Sequence, residues 1–270
     1  ENQRLGEVAL SGYITPNVRL LLAGSYQRIS FTQNYNWTSP ERTINAGDQF
    51  EVAETTAELT WTIREKVKYL GDRRISLGSK WPKITAKYAQ SITGIGKSDL
   101  AYQRINLTIQ QIVPIRAVGK FVYKIEAGKS LGELPLYLSQ IARGTGGQWN
   151  LSVPNTFETM KPSTFYGTEQ LAIFTRFALK AFKMKWKWTA PQISVHHAMG
   201  TGNFKNATEH SVPVKSMNKG YYEAGLIFND ILKLNGLGLG IGGFYNYGAY
   251  ALPQAEKNIT VKIGLTVNLN

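Results

Sequence analysis

The sequence predicts an all-β fold, an antiparallel transmembrane β-barrel of the outer-membrane type. Three features support this prediction: polar and apolar residues alternate in many segments, these segments run for about 9–12 residues, and short turns alternate with long loops. Because successive side chains of a strand point to opposite faces, each segment offers one face to lipid and one polar face. Strands of soluble proteins are usually about 5–6 residues long, which is too short to cross a bilayer.

The alternation recurs along most of the chain and corresponds to roughly 10–12 strands. The clearest alternating segments lie at residues 53–64, 83–92, 105–110, 121–127, 171–179, 237–247 and 259–270. Turn-rich residues separate them, in long stretches at 34–47, 142–164 and 202–220 and in short ones at 69–72 and 97–99. We expect the long stretches to form the outer loops of a barrel. This barrel occupies residues 1–270 as one domain, and it is either complete or part of a larger barrel.

Composition excludes several classes of protein. The 270 residues include no Cys, which excludes a disulfide framework and a thiolate metal site, and they contain no apolar run of about 18 residues that could form a transmembrane helix. The net charge of +13 raises the question of nucleic acid, but the cations are scattered along the chain, so we expect no nucleic-acid partner. The first residues lack an export signal, so we expect a mature form or a fragment of a longer protein. No cofactor is expected.

Charged residues on the polar faces of the strands are predicted to line the lumen, where opposite charges can pair and steer solutes. The alternative is the solvated face of a soluble sheet. The predicted lumen residues are Glu54, Glu58, Lys83, Lys87, Lys124, Glu126, Arg176 and Lys262.

Aromatic residues near the strand ends are predicted to lie at the membrane interface, where one end of the ring remains in water. The alternative is the core of a β-sandwich. The basic and aromatic run at 183–188 is predicted to lie at a membrane rim, although such a run could also stack a nucleobase. The predicted interface residues are Trp81, Trp149, Trp186, Trp188, Tyr221, Tyr222 and Tyr250.

Two other patterns could carry chemistry. Glycines fall at every second position of residues 236–243, and because no Lys follows in P-loop spacing, we expect them to permit close approach of a plug, a loop or a strand. His196 and His197 are adjacent, so they point to opposite strand faces and cannot readily share a metal. Ser194 and His196 share a face, which leaves a hydrolase as an alternative, although no nucleophile-elbow motif accompanies them.

The last segment resembles the C-terminal signal by which outer-membrane proteins are recognised by the barrel-assembly machinery. Recognition of this kind pairs the terminal strand with an exposed sheet edge. Here a Leu replaces the usual terminal aromatic residue and an Asn follows it. The predicted signal residues are Lys262, Gly264, Val267 and Leu269.

A broader resemblance runs from about residue 75 to the end. It is carried by Ser79-Lys80-Trp81-Pro82-Lys83-Ile84, by residues 99–104, 123–129 and 132–136, and by 244–253. These motifs resemble the C-terminal barrel of an outer-membrane family that carries an N-terminal carboxypeptidase-regulatory-like domain and is largely of unassigned function. The resemblance implies a Gram-negative outer membrane, and a regulatory-like domain and further strands that this chain does not contain.

The layout of the last strands is also similar to that of barrels that insert or export other proteins, but no Val-Arg-Gly-Phe loop motif is present. We therefore expect an integral, non-enzymatic outer-membrane protein that supports transport, protein export or envelope assembly within a larger complex. Its expected partners are outer-membrane lipid and lipopolysaccharide, the barrel-assembly machinery and other outer-membrane proteins. The alternatives are a plugged structural scaffold, an outer-membrane hydrolase and a secreted β-sandwich adhesin.

Overall fold

One antiparallel sheet of eleven strands dominates the computed structural model, and each strand pairs with the next strand of the sheet along the chain. The structure describes residues 2–30, 34–132, 134–147, 151–181, 189–234 and 237–267, without the side chains of residues 2–5, 234 and 267. This part of the chain contains no helix that is long and apolar enough to span a membrane. The strands are β1 (Asn2–Thr15), β2 (Val18–Ser30), β3 (Gln49–Thr62), β4 (Lys83–Ile92), β5 (Tyr102–Ile115), β6 (Gly119–Gly132), β7 (Glu169–Leu179), β8 (Gln192–Asn203), β9 (Tyr221–Leu234), β10 (Leu237–Tyr247) and β11 (Ile259–Val267).

The strands are 9 to 14 residues long, so the prediction of long strands is confirmed. Among the described residues, β1 and β11 each have one partner in the sheet, which therefore has two edges. Smaller elements lie outside the sheet: the strand pairs Trp37–Thr38 with Thr43–Ile44, Val67–Leu70 with Arg73–Ser76, and Gln140–Ile141 with Tyr166–Gly167, and the 3-10 helices Leu136–Leu138, Ala207–Glu209 and Ala255–Asn258.

The two faces of the sheet are inverted relative to those of a soluble protein. On β11, Ile259, Val261, Ile263 and Leu265 are 48–59% exposed, whereas the charged Lys262 between them is 1% exposed. A soluble sheet buries its apolar face and exposes its charges, because burying an unpaired charge is costly. We call the face that carries Lys262 the inner face. The outward apolar face is suited to hydrocarbon, as the alternation predicted.

The three predicted long loops lie at one end of the sheet. Residues 31–48, 133–168 and 204–220 connect strands at this long-loop end, and the turns at 16–17 and 116–118 connect them at the other, the short-turn end. The connection at 63–82 also lies at the short-turn end, and it is longer than the short turn that the sequence predicted there. The predicted turn at 69–72 joins the two strands of the small Val67–Ser76 hairpin, which lies outside the large sheet.

The long-loop end is closed by loops that pack on one another, which we call the loop cap. Its centre is Trp37, whose backbone bridges to that of His210 from a distant loop. The Tyr35 hydroxyl lies 2.7 Å from His210 Nδ1, and the Leu136 N–H donates to the same hydroxyl at 3.0 Å. The buried apolar residues of the cap are Ile29, Trp37, Ile44, Phe50, Val52, Leu100, Tyr102, Leu134 and Leu138.

The loop cap is expected to weaken in acid. Burial lowers the pKa of His210 from 6.5 to about 4, so between these values the unfolded loop binds a proton that the folded loop does not. The stability of the cap should therefore fall as the pH drops from about 6.5 towards 4. Hydrogen exchange at residues 34–44 and 207–211, corrected for intrinsic rates, measures this. A His210→Gln variant should lose the pH dependence, and an unchanged dependence in that variant would refute the assignment.

The glycines of β10 allow close approach, as their spacing predicted. A Cβ at Gly240 would overlap the carbonyl oxygen of Phe228 on the neighbouring strand, whereas a Cβ at Gly243 would meet no atom within 4 Å. Overpacking of this kind costs about 1–3 kcal/mol. We therefore expect Gly240→Ala to lower the free energy of unfolding in urea by this amount. Gly243→Ala is the matched control and should change it by less than about 0.5 kcal/mol; equal effects of the two would contradict the packing.

Candidate functional site on the inner face

Part of the connection between β6 and β7 packs on the inner face of the sheet. We call residues 134–147 and 151–165 the internal segment. Its Phe157 is fully buried, and the ring lies against Gly200, where a Cβ would come within 2.7 Å of the ring. Phe157 also packs against Phe174 and Tyr221, with ring centroids 5.0 and 5.2 Å apart. The buried apolar residues at this contact are Ala142, Phe157, Met160, Phe165, Ala172, Phe174, Ala198, Met217 and Tyr221.

A buried ion pair attaches the internal segment to the last strand. Lys262 Nζ lies 2.8 Å from Glu158 Oε2, and the two side chains are 1% and 0% exposed. The ammonium also donates to the carbonyl oxygen and the hydroxyl of Thr145, at 2.9 and 2.8 Å. All three protons of the ammonium thus have acceptors, which a buried Lys requires. The other carboxylate oxygen of Glu158 accepts hydrogen bonds from the Ser152 hydroxyl and the Val153 N–H.

A second buried carboxylate, that of Glu223 on β9, holds the backbone of the same segment. Its oxygens accept the N–H of Glu158 at 2.8 Å and the N–H of Thr159 at 3.0 Å. The Thr159 hydroxyl lies 2.7 Å from Glu223 and 2.7 Å from the Tyr221 hydroxyl. His196 Nε2 lies 3.1 Å from the same carboxylate. Such charge-assisted hydrogen bonds are roughly twice as strong as neutral ones, so Glu223 acts as a clamp.

The internal segment also covers backbone groups of the terminal strand. Leu151 forms a parallel bridge to Ile263 of β11, and the Ser152 N–H donates to the Ile263 carbonyl at 2.8 Å. β11 is an edge strand among the described residues, and unpaired edge groups pair readily with other chains. The internal segment is thus bound by side chains of two strands, Glu223 of β9 and Lys262 of β11. It also forms backbone hydrogen bonds with β11.

A polar cavity of about 340 Å³ lies beside the internal segment. It is lined by Glu58 and Lys87, which occupy paired positions on β3 and β4, and by Glu126 and Arg143. Glu126 lies 2.6 Å from Lys124 and 3.4 Å from Arg143. Opposite charges therefore lie together on this part of the inner face.

The eight predicted lumen residues all lie on the inner face by register, although whether that face borders water stays a prediction. Several of them have partners that the sequence did not indicate. Glu54 accepts hydrogen bonds from the Tyr102 hydroxyl, at 2.7 Å, and from Arg104. Lys262 pairs with Glu158, and Arg176 lines a separate cavity.

The predicted interface aromatics divide into three groups. Trp81 and Tyr222 are 49% and 36% exposed, and their place at a membrane interface stays a prediction. For Tyr221 the prediction is wrong, because this residue lies on the inner face and is buried against the internal segment. The Tyr250 ring is half-buried and packs edge-on against Phe165, and its place at a membrane interface stays a prediction. Trp149, Trp186 and Trp188 lie outside the described residues, as does the whole basic and aromatic run at 183–188.

The histidines point to opposite faces, as predicted. His196 is buried on the inner face, whereas His197 Nε2 lies 2.7 Å from the Tyr247 hydroxyl on the outer side. Ser194 and His196, the residues of the alternative hydrolase, form no hydrogen bond with each other in the described residues; the Ser194 hydroxyl oxygen accepts from the Asn229 amide at 3.1 Å. No group of three potential metal ligands occurs in this part of the chain.

The predicted assembly signal is only partly described. Lys262 and Gly264 lie on the inner face, Val267 is described by its backbone alone and Leu269 lies outside the described residues. Its role in recognition stays a prediction, while Lys262 has a structural partner in Glu158.

Sequence reasoning missed Glu158, Glu223 and Thr159. Glu223 carried a signal, since it is the one charged residue in the otherwise apolar and aromatic run from Tyr221 to Phe228. Glu158 carried none, because it lies in a loop rich in Thr, Pro and Gly where no periodicity applies.

Solved structures show a similar fold. The crystal structure of BamA from Haemophilus ducreyi lacking POTRA domains 1-3 matches 98% of this chain, at 11% identity and a TM-score of 0.60. CdiB from Acinetobacter baumannii also matches 98%, at 11% identity and a TM-score of 0.53. The chain covers 53% and 42% of these two chains, about half of their length. The prediction of an outer-membrane-type antiparallel barrel fold is thereby confirmed.

A family model matches residues 21–165, and its description is "Family of unknown function (DUF5686) C-terminal domain". No curated protein matches the sequence. The match covers more than half of the chain and includes β3 to β6 and the internal segment.

Proposed function

From the premise that the chain belongs to this family of unknown function, DUF5686, we propose that it is an integral outer-membrane β-barrel protein. In this proposal it supports protein export or envelope assembly without enzymatic activity, and its internal segment closes the interior in the resting state. The observation that carries the proposal is the inverted sheet, with exposed apolar side chains outside and clamped charges inside. The barrel fold shared with BamA and CdiB supports it as an analogy of fold.

The clamp favours a closed interior over an open pore. A solute channel needs a continuous polar path, but here Phe157 and Met160 pack on the sheet from within. Glu158 is paired with Lys262, and Glu223 accepts two backbone N–H groups of the segment. Displacement of the segment would therefore leave Lys262 and Glu223 on the sheet without these partners, which is unfavourable for buried charges. A plugged structural scaffold therefore stays the second candidate function. It differs from the first candidate in having no role in protein export or envelope assembly.

The experiment that tests the role is depletion of the protein in its own cell, followed by quantitative proteomics of the outer membrane and the cell surface. The proposal predicts that a set of envelope proteins disappears from the surface and accumulates in the periplasm. An unchanged surface proteome together with a more fragile envelope would identify the scaffold instead.

Complementation tests the non-enzymatic part of the proposal. Ser194→Ala should restore the surface proteome as well as the wild-type chain does, because Ser194 contacts an amide and no catalytic base in the described residues. Failure of this variant, with normal abundance and folding, would point to the hydrolase.

A further inference from the structure

A second cavity on the inner face, of about 200 Å³, lies at the short-turn end below the internal segment. Lys120 of β6 and Arg176 of β7 line it, and both lie in the part of the sheet next to the 116–118 turn. Pro154 and Asn155 of the internal segment border it from above. The cavity is distinct from the 340 Å³ cavity, which contains Glu58 and Glu126.

The charge of this cavity is one-sided. Its lining includes a guanidinium, an ammonium and the His196 ring, and it includes no Asp or Glu among the described residues. Glu158 and Glu223 do not line it, and their close partners are Lys262, His196 and backbone N–H groups, although Glu158 also attracts Arg176 at longer range. Cations on the wall of a cavity with few solvating groups attract a compact anion.

Arg176 is the unusual group in this lining. The structure records no hydrogen bond or close ion pair for its side chain among the described residues, although the residue is partly buried; the Glu158 carboxylate attracts it only at longer range. A guanidinium has five N–H donors in a fixed fork that matches the oxygens of a phosphate or carboxylate. Withdrawing such a group from water without a partner is unfavourable, so an oxyanion in the cavity would supply what the protein does not.

Neutral groups in the cavity complement the cations. The Ser194 oxygen accepts a hydrogen bond from Asn229, which leaves the Ser194 O–H free to donate. The amides of Asn155 and Gln192 also line the space. Donors on several sides suit a tetrahedral phosphate better than a planar carboxylate, and the volume leaves room for a small group attached to it.

We propose that the cavity around Arg176 and Lys120 binds a phosphate group. Free phosphate and glycerol-linked phosphate share this chemistry. The inference goes beyond the proposed function, since it depends on the cavity alone and on no role in export or assembly.

Calorimetric titration of the full chain in a phosphate-free maltoside detergent tests the proposal, with inorganic phosphate and with glycerol 3-phosphate as the two probes. We expect saturable binding of at least one of them. Arg176→Gln should weaken that binding by about tenfold to a hundredfold, because it removes charge-assisted hydrogen bonds. Lys68→Gln, on the exposed hairpin, is the matched control and should bind as the wild-type chain does.

Tighter binding of glycerol 3-phosphate would identify a phosphate linked to glycerol as the ligand, and equal binding would identify free phosphate. If Arg176→Gln does not fold, Lys120→Gln replaces it, because Lys120 is exposed and its loss should leave the fold intact. No saturable binding of either probe, or equal affinity in the wild-type and cavity variants, would overturn the proposal. Either result would leave the depletion experiment unaffected.

Discussion

Replacement of Lys262 by Met is expected to lower the free energy of unfolding by about 3–5 kcal/mol, the usual cost of removing one partner of a buried ion pair. Glu158 would remain fully buried with an uncompensated charge, and Thr145 would lose the ammonium that its carbonyl and hydroxyl contact. Urea unfolding in detergent, followed by the heat-dependent shift in gel migration that folded barrels show, measures this loss.

A double variant distinguishes loss of the pair from loss of packing. Lys262→Met combined with Glu158→Gln removes both charges but keeps an oxygen to accept from Ser152 and Val153. This variant should recover part of the lost stability, on the order of 1–3 kcal/mol. Lys257→Met is the matched control, because Lys257 is exposed at the same end of β11. A double variant that is less stable than Lys262→Met would contradict the pairing.

Replacement of Glu223 by Gln is expected to release the internal segment from the inner face. The substituted amide presents an NH₂ group where one carboxylate oxygen accepts from the backbone, so a buried N–H of Glu158 or Thr159 loses its partner. This costs about 2–4 kcal/mol, which raises the released population by a factor on the order of 30 or more. The measurable result is a higher single-channel conductance in planar bilayers.

The wild-type chain should show low conductance, and Glu256→Gln, at an exposed position in the long-loop end, should match it. If the Glu223→Gln chain conducts no more than these two while remaining folded, the segment is not held by the clamp, and the closed interior needs another explanation.

The sequence predicted the fold because alternation is a local property. On β11 each residue from Ile259 to Leu265 lies on the face that the pattern assigned to it. The three loops at the long-loop end were predicted for the same reason, since turn residues interrupt the alternation. The long connection at 63–82 was predicted only as a short turn at 69–72. The strand pairs Val67–Leu70 and Arg73–Ser76 were not predicted as an extra hairpin, because they are too short to show a period.

The site was predicted only in part because its contacts join residues far apart in the chain. Lys262 was assigned to the inner face, but its partner Glu158 lies in a loop without periodic pattern. Tyr221 was misassigned to the membrane interface because alternation gives the face of a strand and not what packs against it. An aromatic residue on the inner face has either water or a segment of the chain beside it. The ring beside Tyr221 is that of Phe157, from the internal segment.

The family match and the structure support each other on one point. Residues 21–165 include the whole internal segment and therefore Glu158, whereas Glu223 and Lys262 lie outside the match. An acidic residue at the position of Glu158 can therefore be sought in other members of the family.

Spin labels on β11 test the central claim, that apolar side chains face lipid while their neighbours face a filled interior. The chain has no Cys, so single Cys substitutions at residues 259–265 can be labelled without background. In lipid bilayers, labels at 259, 261, 263 and 265 should collide frequently with oxygen, which concentrates in hydrocarbon, and labels at 260 and 264 should collide rarely with oxygen or with a water-soluble nickel complex. Equal accessibility at odd and even positions, or greater accessibility of the odd positions to the nickel complex, would contradict the account.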